Sequence, residues 1–178
     1  MTMISTLLRH LDRFRRDHRG TTLVETALIL PLMVPLSAGV FEFGNLIHDK
    51  LLMEAGLTDG ARFAARCNSQ MYTDNGLAAI DCANIATNIA VYGNAAGTGT
   101  ARVKDWLKAN VTVTIAAPAR CRDAVNGAGV TEYRSTTAQV CIVRVEGTYP
   151  YAGIGMLSLL GIGPITLNGF HEERLIRF

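Results

Sequence analysis

The chain has 178 residues, 49% apolar and 18% charged, which excludes a disordered polymer and allows one ordinary domain plus an extra segment. A net charge of +2 is too small for a protein that holds nucleic acid by neutralising phosphates. The charge is also uneven: residues 1–20 hold five arginines (Arg9, Arg13, Arg15, Arg16, Arg19) against Asp12 and Asp17, which leaves 12 basic and 13 acidic groups over 21–178. The first element reads TTLVETALILPLMVPLSAGVFEFGNLI, from Thr21 to Ile47, with 16 uncharged residues between Glu25 and Glu42. As a helix those residues measure about 24 Å, against a hydrocarbon layer of about 30 Å. Extended to Leu23 and Ile47 the run is long enough to cross, with Glu25 and Glu42 near the two interfaces. Pro31 and Pro35 would break most soluble helices but are tolerated in membrane spans. The arginines precede the span and no comparable cluster follows it, so the positive-inside rule puts residues 1–20 in the cytoplasm and the rest outside.

Three fates of this segment compete. A secretory signal peptide has the same order of basic, apolar and small residues, and Ser37-Ala38-Gly39 offers a cut. That cut discards 39 residues and leaves Phe41 and Phe43 at a new amino terminus. An uncleaved anchor is the second possibility. The third is a cut before the apolar run, at Arg19-Gly20-Thr21-Thr22-Leu23-Val24-Glu25, with a glutamate five places after the glycine.

The third pattern resembles the type IV prepilin signal. The longer stretch RGTTLVETALILPLMVPLSAGVFEFGNLI is similar to the start of TadE-like proteins, pseudopilin-type components of tight-adherence (Tad/Flp) pilus assembly. The residues that carry the likeness are Glu25, Ala27, Leu28, Pro31, Glu42, Phe43, Gly44, Gly60, Ala61 and Arg62, and Thr26 stands where the family has phenylalanine. The resemblance implies that prepilin peptidase cuts after Gly20, leaving Thr21 as the new terminus on a helix still in the inner membrane. It also implies pilus subunits or assembly proteins as partners of that helix, a periplasmic carboxyl-terminal domain, and no cofactor. A glycine at the cut lets backbone approach a catalytic centre closely. Glu25, which costs about 2.5–3.5 kcal/mol unpaired at a span centre and less near an interface, would pair with the free amine of a neighbouring Thr21 and set register. The simpler alternative is that Glu25 reaches the interface and does nothing more.

Beyond Ile47 the helical pattern continues through Leu46, Met53, Leu57, Ala61 and Ala64, one face of a helix running to about Ala65. Gly56 and Gly60 on it either permit close helix packing or are merely tolerated. Residues 77–92 read as a second helix stopped by Gly93. GNAAGTGT at 93–100 reads as a flexible loop and lacks the Gly-Lys-Ser/Thr of a phosphate loop. Trp106, the single tryptophan, reads as core. Residues 111–115 alternate and predict a strand. Residues 118–137 read as a long polar loop, 140–149 as a second strand ended by Pro150, and 151–163 as a short buried helix or a membrane-facing turn. Ile165 to Phe178 reads as a last strand interrupted at Gly169.

Cys67, Cys82, Cys121 and Cys141 form no CxxC pair, which removes zinc-finger and thioredoxin spacing. An even count behind an export segment predicts disulfides, although four reduced buried thiols would fit the count equally. Three connectivities are open. Sequential pairing, Cys67–Cys82 and Cys121–Cys141, is expected. The search for catalysis finds nothing: His171-Glu172-Glu173 lacks the second histidine of HExxH and reads as an exposed charge run. His48 lies on the long helix, His10 and His18 lie in the leader, and no serine has a GxSxG setting.

These readings converge on an α+β chain: a basic leader (1–20), a transmembrane and extended helix (21–66), and an extracytoplasmic domain (67–178) with a second helix and an antiparallel sheet. The expected function is structural, a pseudopilin-like subunit or assembly factor. The alternative is a membrane-anchored binding or adhesion domain that never enters a pilus.

Overall fold

The computed structural model describes residues 19–131, 139–153, 155–159 and 161–176. Among the described residues, four α-helices and four strands follow in the order α1 (Arg19–Arg66), α2 (Ser69–Asp74), α3 (Cys82–Tyr92), β1 (Val111–Thr114), β2 (Cys121–Asp123), β3 (Gln139–Tyr151), α4 (Met156–Leu159) and β4 (Ile165–Arg174). The chain is α+β, with a long amino-terminal apolar helix before a small domain whose sheet is antiparallel. It falls into two compact units. One holds the chain through Gly44 together with Ile154–Ile162, and the other holds Asn45–Gly153 and Gly163–Phe178. Residues 45–66 of α1 therefore belong to the globular unit. The basic leader, with His10 and His18, lies outside the described residues up to residue 18. So do the end of the polar loop (132–138) and the last two residues.

In the globular unit β3 is the common partner. Val111–Thr114 pairs with Gly147–Arg144, and Cys121–Asp123 with Cys141–Gln139. β4 pairs with β3 from Ile165 opposite Tyr151 to Arg174 opposite Ile142. Alternate residues of β3 turn inward: Val143, Val145, Tyr149 and Tyr151 are buried. On α1 the buried residues Met53, Leu57, Ala61 and Ala64 keep the helical spacing expected of a core face. Each large apolar side chain closed off in this way contributes about 1.5–3 kcal/mol.

Close approach explains the glycines of α1. A Cβ on Gly56 would lie 2.3 Å from the Ala90 carbonyl oxygen, and one on Gly60 would lie 2.8 Å from that of Ala86. Ala86 and Ala90 share the spacing of the two glycines, so α1 and α3 meet backbone to backbone. Trp106 fills the adjoining corner: its ring approaches both Gly56 and Gly147, and its indole N–H donates to the Thr148 carbonyl at 3.0 Å.

Several elements differ from the sequence expectation. The second helix begins at Cys82, not residue 77, because the Asp81 carboxylate accepts from the Asn84 N–H at 3.0 Å and fixes the start there. It ends as expected, with Gly93 left-handed at φ 73°. A short helix, α2, precedes it, capped by Asn68. The 93–100 loop is held by asparagines: Asn94 Oδ1 accepts from Gly97 and Thr98, and Asn88 Nδ2 donates to the Ala95 carbonyl. The polar loop contains β2. Pro150 does not end β3, since β1 stops opposite Gly147 and Pro150 sits where a missing donor is tolerated. Gly169 does not interrupt β4. It pairs with Gly147, and a Cβ there would press on Met53 and Leu57.

Candidate assembly helix

Gly20, Thr21 and Glu25 occupy the beginning of α1, and all three are exposed. Thr21 and Glu25 are one turn apart on the same helix. The Thr26 hydroxyl donates to the Thr22 carbonyl at 2.7 Å, a local bond that leaves the first turns regular. Beyond Glu25 the helix surface is apolar and open: Leu28 is 74% exposed and Leu32 62%. A contiguous apolar surface of this kind marks a membrane or protein contact. α1 is long and apolar enough to cross a membrane, and 6% of its most apolar stretch is buried. Pro31 and Pro35 lie inside the helix without ending it.

Glu42 is different. It is 1% exposed, and its Oε2 accepts from the Met156 N–H at 3.2 Å, both residues lying in the first compact unit. The sequence places Glu42 near an interface and within the family likeness, and gives it no partner. Its partner lies 114 residues on, and no local pattern announces it.

The cysteines stand as two bonded pairs, Cys67–Cys82 and Cys121–Cys141. The first joins the chain just past α1 to the first residue of α3. The second is a cross-strand bridge, Cys121 lying directly opposite Cys141.

The HEE run is more than a solvated edge. Glu172 accepts from Arg120 at 2.6 Å and from Arg144 at 3.0 Å, while Glu173 meets Arg62 at 3.7 Å. Arg144 also bonds Glu146, lies over the Phe170 ring, and is held more firmly protonated by its two carboxylates. Solvent screens pairs of this kind, so they add little to stability. Burial pushes the Tyr149 phenol up, which keeps its hydroxyl as the donor to the Lys104 carbonyl at 3.0 Å. Burial likewise raises the Asp49 carboxyl, against an opposing pull from His48. Among the described residues, no group of three or more His, Cys, Asp or Glu could hold a metal ion.

A single apolar, largely uncovered helix, long and apolar enough to cross a membrane, leading into a small disulfide-bonded α+β domain defines the class by its architecture. Within that class, residues 20–62 match the family model described as TadE-like protein. The match starts at Gly20 and ends at Arg62, so it contains Thr21, Glu25, Glu42, Gly56 and Gly60. No curated protein matches the chain, and no solved structure does.

Proposed function

We propose that the protein is a pseudopilin-like subunit or assembly factor of a Tad-type pilus, held in the bacterial inner membrane by α1. Residues 1–20 are cytoplasmic and the domain beyond the span is periplasmic. The observation that carries this is the TadE-like match over residues 20–62, laid on a helix whose apolar face is open. Such a match supports a Tad pilus-associated component of a structural, non-enzymatic kind. Prepilin peptidase removes the leader after Gly20, where the absence of a side chain admits the backbone. The cut frees an α-amino group at Thr21 and leaves the helix in the bilayer. Glu25 of one copy pairs with the Thr21 amine of a neighbouring pilus subunit and sets the register in which apolar helices pack.

The test is the amino-terminal residue of the protein extracted from membranes, by intact mass or sequencing. Thr21 is expected, and Gly20→Leu is expected to keep the leader. A start at Met1 overturns the processing step and favours the anchored binding domain, and a start at Val40 overturns both, since that cut removes the anchor.

A further inference from the structure

From Gly147 to Phe170 the chain runs 24 residues without an Asp, Glu, Lys, Arg or His. This stretch is the end of β3, the start of β4 and the connection between them. Connections ordinarily run over wet surface and are polar. Here residues 152–164 read AGIGMLSLLGIGP, apolar but for one hydroxyl. Their middle, Ile154–Ile162, forms a compact unit with the amino-terminal part of the chain, not with the strands it joins. Within that unit Met156 donates its N–H to Glu42, and Leu157 and Ala38 are buried. Ser158, Gly161 and Ile162 face outward, Ile162 at 41% exposure.

The Glu42 bond fixes the level of this tip along α1. Phe41 and Phe43 flank that level and are both exposed. With residues 23–47 in the bilayer, Glu42 lies near the outer end of the span, and Phe41 and Phe43, which have no polar tip, add apolar surface at that depth. Lipid contact there requires backbone polar groups to be satisfied from within the protein. The Glu42 acceptor satisfies the Met156 N–H, and the turn after α4 satisfies those of Gly161 and Ile162. Ile162, the large apolar side chain that the tip exposes among the described residues, thus adds to the apolar surface that α1 presents.

We infer that the β3–β4 connection is a second membrane-contacting element, an apolar wedge seated in the outer-leaflet boundary beside α1, with lipid as its occupant. The inference rests on the anchored reading of α1. It gives the protein a second attachment to the membrane, beside α1.

The test uses the full chain in phosphatidylethanolamine–phosphatidylglycerol vesicles, with a nitroxide on Ser158→Cys, Leu32→Cys or Ala128→Cys. The four native cysteines are bonded and leave the added thiol to take the label. Power saturation compares collisions with oxygen, which concentrates in lipid, and with a water-soluble nickel chelate. The oxygen-to-nickel ratio at 158 is expected to be several-fold above that at 128 and to approach that at 32. Ile162→Asp, a change at an outward position, is expected to lower the ratio at 158 several-fold and leave that at 32 unchanged. Free nickel access at 158 with Leu32 in lipid overturns the wedge and spares the anchor. Poor access of both reagents at 158 means a protein neighbour covers the tip, and this too overturns the wedge. Nickel access at 32 overturns the anchor itself and the wedge with it.

Discussion

A carbonyl oxygen decides the residue at position 56. The 2.3 Å approach of Ala90 O to a would-be Cβ leaves no rotamer to escape through, because the obstacle is backbone. Alanine would gain about 1 kcal/mol of helix propensity over glycine. Overpacking a tight contact costs about 1–3 kcal/mol, and a clash with backbone lies at the upper end. Gly56→Ala is therefore expected to destabilise the domain by about 2 kcal/mol in denaturant unfolding. Gly44→Ala, with nothing within 4 Å, takes the propensity gain alone. Glu25 is governed by charge rather than space. Glu25→Gln keeps the size and one acceptor and removes a cost of insertion, so membrane abundance is expected to hold or rise. The amine left without its carboxylate in a low-dielectric setting is costly, and co-isolation with pilus components is expected to fall several-fold. Recovery with partners at wild-type levels would reduce Glu25 to an interfacial residue.

Among the elements, α3 shows how a boundary is set by one side chain. Residues 77–81 have the apolar content of a helix, but Asp81 takes the capping position and the helix starts after it. Asp81→Ala is expected to cost about 1 kcal/mol, read as a lower thermal midpoint, with the start of α3 fraying first in hydrogen exchange. The bond from Cys82 to Cys67 limits that fraying, since it closes a 15-residue separation. Elements carried by periodicity were legible in the sequence: α1 to its end at Arg66, and β1 and β3 through their alternation. α2 and β2 were not, because α2 depends on an Asn68 cap and β2 on a partner strand sixteen or more residues away. Pro150 misled for a related reason. Its effect on a strand depends on whether that side of the strand is paired, which is a tertiary fact.

Over the whole molecule the asymmetry of charge and the bonded cysteines agree with the proposed placement of the domain outside the cytoplasm. With the domain outside the cytoplasm, alkylation of freshly prepared envelopes under non-reducing conditions is expected to find no free thiols, and labelling of all four would place the domain on the reducing side. The proposed site is local, since Gly20, Thr21 and Glu25 fall within six residues, and so the sequence alone suggests it. Glu42 could be placed near a boundary but not paired, because its partner arrives from the far end of the chain.

Trp106 has a practical consequence for anyone who works with this protein. It is the sole tryptophan, 1% exposed, wedged between α1 and β3 with its indole N–H satisfied. Its intrinsic emission therefore reports on the globular unit alone, with the spectrum of a ring kept from water. The apolar half of α1 contributes phenylalanine but no indole. Unfolding the domain in detergent will move the emission to the red whether or not α1 stays inserted. A mutation that disturbs α1 in the bilayer and leaves the spectrum unmoved has spared the domain, so a single cuvette separates the two kinds of damage.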